Sequence, residues 1–246
     1  MFEIVSVGFV LIVVAVASAI VLGVRGAALR GGGAGARAAL ATALGIGAWL
    51  GALAFVARTG MLSDFDARPP RLMLVLAGSI VLFTVVTRTP AARRLLEATP
   101  RHWPIAVQAM RVPIEVALWG LFVTGRLPVQ MTFEGRNFDV LVGLTAPVVA
   151  LGVARGSIGT RGAVAWNVAS LGALANIVVI AITTMPGPLH LDWPGISNAI
   201  VTEMPFVWLP AFLVPIALFG HVLSLRQLIR RGTQPRRGSS PRAVAS

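Results

Sequence analysis

Arg111 and Glu115 stand four residues apart inside HWPIAVQAMRVPIEVALWGLFVTG, an apolar stretch from His102 to Gly125 long enough to cross a bilayer. A charge at the centre of a bilayer costs roughly 2.5–3.5 kcal/mol on insertion scales, so it is kept with a partner and usually for a task. The spacing puts guanidinium and carboxylate on one helical face, within reach of each other. Gln108, three residues earlier, and Trp119, four residues later, extend the stripe. Such a stripe can bind a polar solute or relay a proton. The competing role is an internal salt bridge that fixes helix packing, although desolvation makes a buried pair weak evidence of stability. Pro113, between the two charges, removes a backbone donor and predicts a kink that frees carbonyl oxygens near the midplane.

Further polar groups cluster in GRLPVQMTFEGRNFD, the loop that follows. Glu134, Arg136 and Asp139 are expected at the mouth of the bundle, gating the site from outside. Asn137 or Asp139 serves equally well to cap the next helix, whose positive end suits a carboxylate. Asn176 shares a face with Ala165, Ala169, Gly172, Ala173 and Thr183. It is either hydrogen-bond glue on a small-residue face or a fourth member of the site beside Glu115. Pro205, Pro210 and Pro215 predict kinks in the last span. His221, about one turn from its cytoplasmic end, reads as a helix-end hydrogen bonder. The loop 185–203 reads as an interfacial lid anchored by Trp193.

The elements that carry these residues are helices in a membrane. The chain of 246 residues is 56% hydrophobic and 12% charged, with a mean hydropathy of +0.83, values that belong to a multi-pass membrane protein. All 21 basic residues are Arg, and Lys, Cys and Tyr are absent. Schiff-base, thiolate and iron–sulfur chemistry are therefore excluded. His102, His190 and His221 have no ligand spacing, so neither a metal nor another cofactor is expected. No GxSG, HExxH or paired-Asp pattern assigns a reaction. The net charge of +12 falls in short loops between spans, as the positive-inside rule requires, and does not point to nucleic acid.

Seven spans are predicted, over about 4–24, 38–57, 72–88, 104–124, 139–154, 163–184 and 204–225. Glu3 and the lack of a basic n-region predict that the first is a retained helix and not a cleaved signal. One side of the membrane collects 15 Arg and the other 5, which predicts the N-terminus outside and the C-terminus in the cytoplasm. LGVRGAALRGGGAGARAALATALG after span one is echoed by LGVARGSIGTRGAVAWNVASLG after span five, consistent with a three-plus-one-plus-three plan or with chance recurrence of small residues. The segment 232–246 is predicted to be a disordered basic tail that touches anionic lipid.

QAMRVPIEVALW, MTFEGRNFD with LVGLTAP, and FVWLPAFLVPIALFGHVLSLRQL, together spanning about residues 108–147 and 204–228, resemble a family of small bacterial multi-pass membrane proteins without an assigned activity. The resemblance implies a membrane protein and carries no substrate or catalytic residue. The expected fold is thus all-α, a seven-helix bundle over residues 1–231 in a bacterial inner membrane. The expected function is a transporter or solute-binding membrane protein for a small polar solute or ion. Gln108, Arg111 and Glu115 form its site, Asn176 assists, and Glu134, Arg136 and Asp139 gate it. The alternative is a non-catalytic structural or sensory protein acting through its cytoplasmic loops and tail.

Overall fold

The structure, a computed structural model, describes residues 1–232. Every regular element among them is helical. The apolar runs become α1 (Phe2–Arg30), α2 (Gly35–Arg58) and α3 (Arg71–Arg88), followed by a short α4 (Pro90–Ala98). Next come α5 (Trp103–Ala106) and α6 (Arg111–Val123), joined through a 3-10 turn over Val107–Met110 into one run, Trp103–Val123. Then follow α7 (Asp139–Arg155), α8 (Thr160–Thr183) and α9 (Val214–Gly232), the last preceded by a wider π turn over Leu209–Leu213. The expected tail, residues 233–246 of it, lies outside the described residues.

Six of these runs are long and apolar enough to cross a membrane: α1, α2, α3, Trp103–Val123, α8 and Leu209–Ile229. The predicted span 139–154 is present as α7, whose 17 residues rise about 26 Å at 1.5 Å each, one residue fewer than α3. Local chemistry explains the stops. Gly32 ends α1 at φ +73°, with Gly33 N–H donating to Ala28 O at 2.8 Å and Gly32 N–H to Leu29 O at 3.1 Å, the pattern of a Schellman cap. Gly125 ends α6 in the same way, through Gly125 N–H to Phe122 O and Arg126 N–H to Leu121 O. The helix α4 was hidden in what reads as a cytoplasmic loop. Thr89 caps it by accepting from Ala92 N–H at 3.2 Å, with Pro90 at its first position.

Pro113 and Pro215 each remove a helical donor at their own place. Pro113 cannot bond the Ala109 carbonyl, and the turn just before it tightens to 3-10 over Val107–Met110. The last helix starts later than its predicted span, because residues 204–207 form turns. Pro215 likewise leaves the Ala211 carbonyl without its helical donor, and Trp49 Nε1 of α2 donates to it at 3.1 Å. Trp208 Nε1 returns the bond, donating to Leu50 O at 3.0 Å.

Contacts sort the connections between two ends of the bundle. At one end Arg30 Nε donates to Ala98 O, and Gln227 Nε2 donates to Leu96 O and Thr99 O. At the other, the Arg126 guanidinium lies 4.7 Å from the Phe2 ring centre, Ser63 meets Thr202 at 3.0 Å, and Gln130 Nε2 donates to Pro194 O. Between the two ends sits one apolar core in which Phe9 and Val13 of α1, Leu121 of α6, and Phe206 and Phe212 before α9 are fully buried.

Candidate functional site

The loop 125–138 does not drape over the bundle but sinks into it. Leu127, Gln130, Met131, Thr132 and Asn137 are buried. The N-terminus of α7 therefore begins inside the protein, level with Arg111 in the middle of Trp103–Val123. Irregular backbone is tolerated at such depth only where protein covers it. Gly143 lets α7 come this close: a Cβ there would stand 2.7 Å from Val112 Cγ2 and 2.8 Å from Val112 N.

Arg111 is 2% exposed and is held on three sides. Its Nη1 donates to Asp139 Oδ1 at 2.7 Å, its Nε to Gln108 Oε1 at 3.2 Å, and its Nη2 meets His221 Nε2 at 3.2 Å. The expected Arg111–Glu115 pair is corrected here. The guanidinium pairs with Asp139, brought in by α7, while Glu115 Oε1 accepts from Asn137 Nδ2. Charge-assisted bonds at good geometry outweigh the local four-residue rule, which on isolated helices is worth only about 0.2–0.5 kcal/mol.

The network extends into α8 and α9. Gln108 Nε2 donates to Ala217 O at 3.1 Å. His221 Nδ1 meets Asn167 Oδ1 at 2.9 Å, and Asn167 Nδ2 donates to Ala163 O and Ser224 Oγ. A guanidinium only donates, so Nε2 of His221 is the accepting nitrogen and its proton sits on Nδ1. Asn167, His221 and Ser224 are fully buried. His221 is thus no helix-end bonder but a member of the central network. The signal was present in the sequence, since Ala217, His221, Ser224 and Leu228 recur at four, three and four on one buried face.

Of the residues expected at the site, Gln108, Arg111, Glu115 and Asp139 converge. Asn176 does not. It is half-buried and donates through Nδ2 to the Arg136 carbonyl at 2.7 Å, tying the sunken loop to α8. Glu134 and Arg136 stay exposed on that loop, Glu134 accepting from Trp119 Nε1 at 2.7 Å and Arg136 lying 5.2 Å from the Trp193 ring centre. Neither Asn137 nor Asp139 is the cap residue of α7, which is Phe138; Asn137 Oδ1 instead accepts from Asp139 N–H at 3.0 Å. Among the described residues no three His, Asp or Glu side chains group as a metal site would require.

Beside the network lies a cavity of about 90 Å³, walled by α3, α6, α8 and the turn before α9. Its lining is apolar apart from Arg111, Glu115, Asp139 and Asn198. Glu115 Oε2 and Asn198 Oδ1 are buried and have no hydrogen-bond partner among the described residues. Leaving a buried polar group unsatisfied costs about 1–3 kcal/mol, more for a charged one.

Six long apolar helices around a buried polar network have the architecture of a multi-pass membrane protein. A family profile described as Domain of unknown function (DUF8737) matches residues 69–229, more than half of the chain, and the chain belongs to that family. Both stretches that carried the family resemblance in the sequence, 108–147 and 204–228, fall within the match. Neither a search of curated proteins nor one of solved structures found a match.

Proposed function

We propose that this chain is a seven-span membrane protein that binds and moves a small solute or ion at the Glu115 end of its buried network. The observation that carries the reading is Glu115 itself: a buried carboxyl with one oxygen on Asn137 and the other free at a cavity. A purely structural group would have both oxygens satisfied, because an orphaned buried acceptor is destabilising. On this reading α7 completes the fifth crossing together with the sunken loop. The Arg-rich end, where Arg30 meets α4, is cytoplasmic in a bacterial inner membrane, with the tail against anionic lipid. Glu134 on Trp119 and Arg136 on Trp193 then form the outer gate.

The chain has no Cys, so one can be placed without background. Ala181 lines the cavity. In the purified full chain, Ala181→Cys should react with a small polar thiol reagent, and Val178→Cys serves if that variant fails to fold. A folded variant whose thiol stays unreactive would point to a sealed packing element, the role of a structural or sensory protein.

A further inference from the structure

Asp139 has the Arg111 guanidinium at 2.7 Å. Among the described residues Glu115 makes no ion pair within 4 Å and receives only an uncharged amide donor from Asn137. Two carboxylates therefore share one guanidinium, and Glu115 is the one left over. Asn198, fully buried, faces a similar want. Its Nδ2 lies 3.8 Å from Met131 Sδ and 3.3 Å from Ala181 O, while its Oδ1 has no partner. Met131 joins the two, since its carbonyl accepts from the same Asn137 amide that holds Glu115. Asn198 Oδ1 is an acceptor and Glu115 Oε2 is one when ionised, so an occupant that brings donors satisfies both.

The rest of the wall sets the remainder of the ligand. Ile114, Leu118, Leu174, Ile177 and Leu213 are apolar and buried. About 90 Å³, at roughly 10–15 Å³ for each water-sized occupant, holds about six to nine heavy atoms. Met73 and Leu76 of α3 and Val178 and Ile182 of α8 also line it and are half-exposed, so the cavity reaches the flank of the bundle between those helices.

We propose that the cavity binds a small hydrophobic amine as its ammonium ion, with N–H donors on Glu115 Oε2 and Asn198 Oδ1 and its apolar body between α6 and α8. The assignment rests on the solute-binding reading above and narrows it to a ligand class. Ammonium supplies both what Glu115 lacks, a cation in direct contact, and what Asn198 lacks, a donor. The apolar walls reject a fully hydrated ion, and Asp139 is already neutralised.

The test titrates the purified full chain in neutral-lipid nanodiscs with phenethylammonium, phenethyl alcohol and benzoate, all of the same heavy-atom count, read by heat of binding. The ammonium should bind at least about tenfold more tightly than the alcohol, and the anion should not bind. Glu115→Gln should abolish the preference for charge. Asn198→Leu should weaken the ammonium by about tenfold and serves where Glu115→Gln does not fold. Equal binding of alcohol and ammonium, undiminished binding in both variants, or no ammonium binding at all overturns the assignment. If Ala181→Cys is reactive while phenethylammonium does not bind, the ligand class falls and the solute site stands. If the thiol is sealed as well, both fall together.

Discussion

Nη2 of Arg111 and Nε2 of His221 lie 3.2 Å apart, and the bond exists in only one histidine tautomer. The guanidinium commits Nε2 to accept, and the Asn167 carbonyl oxygen takes the proton on Nδ1. Nitrogen NMR of labelled protein in lipid should therefore show a protonated Nδ1 and an unprotonated Nε2. An Nε2-protonated ring would mean that the network is ordered differently from Arg111 outward.

The ion pair across α6 and α7 predicts which double substitution rescues. Asp139→Leu alone strands Arg111 and should cost about 3–5 kcal/mol, seen as a collapse in folded yield. Arg111→Met with Asp139→Leu should restore most of it. Arg111→Met with Glu115→Leu should not, because Asp139 then loses its partner. If instead the Glu115 double rescues and the Asp139 double fails, the pairing is wrong.

Two glycines in helices should respond in opposite directions. Gly143→Ala drives a methyl into Val112 and should destabilise by about 1–3 kcal/mol, the usual range for overpacking. In Gly45→Ala nothing lies within 4 Å of the added methyl. That change should be neutral or stabilise by up to about 1 kcal/mol through helix propensity. Thermal unfolding in one detergent compares them; equal effects would mean that α7 does not sit against α6 as described.

Reporter fusions test the crossing count. Fusions after Arg30, Arg94 and Arg161 should report cytoplasm, and those after Ser63 and Asp192 the outside. Fusions after Arg126 and Arg161 together decide whether α7 crosses: with seven spans the first reports outside and the second cytoplasm, and the same side for both removes that crossing.

What could be read in the chain beforehand was what depends on neighbours in sequence. Apolar runs mark α1, α2, α3, α8 and the span around α6, and the polar residues inside that span single out Gln108, Arg111 and Glu115, whereas Asp139 reads as an outer gate or a helix cap. What could not be read depends on residues far apart. Asp139 reaches Arg111 across 28 positions, and only the sinking of loop 125–138 brings them level. The buried face that holds His221 is legible, but its partner Asn167 is not, because their bond spans 54 positions. Asn176 stayed open between two roles because a small-residue face shows that a neighbour comes close without saying which one, and its bond to the Arg136 carbonyl is that of hydrogen-bond glue. The helix α4 escaped notice at nine residues, although Thr89-Pro90 is a legible start signal.

The paired indoles of Trp49 and Trp208 have a consequence for the order in which the protein is made. The carbonyl that receives Trp49 lies 162 positions later. At 5–20 residues per second of synthesis, the second helix waits about 8–30 s in the bilayer before that acceptor exists. Throughout that interval its indole N–H must be satisfied by lipid headgroup, water or a helper protein. Completion of the bundle is thus a late event, locked when the last helix arrives and its prolines leave a carbonyl free to be taken.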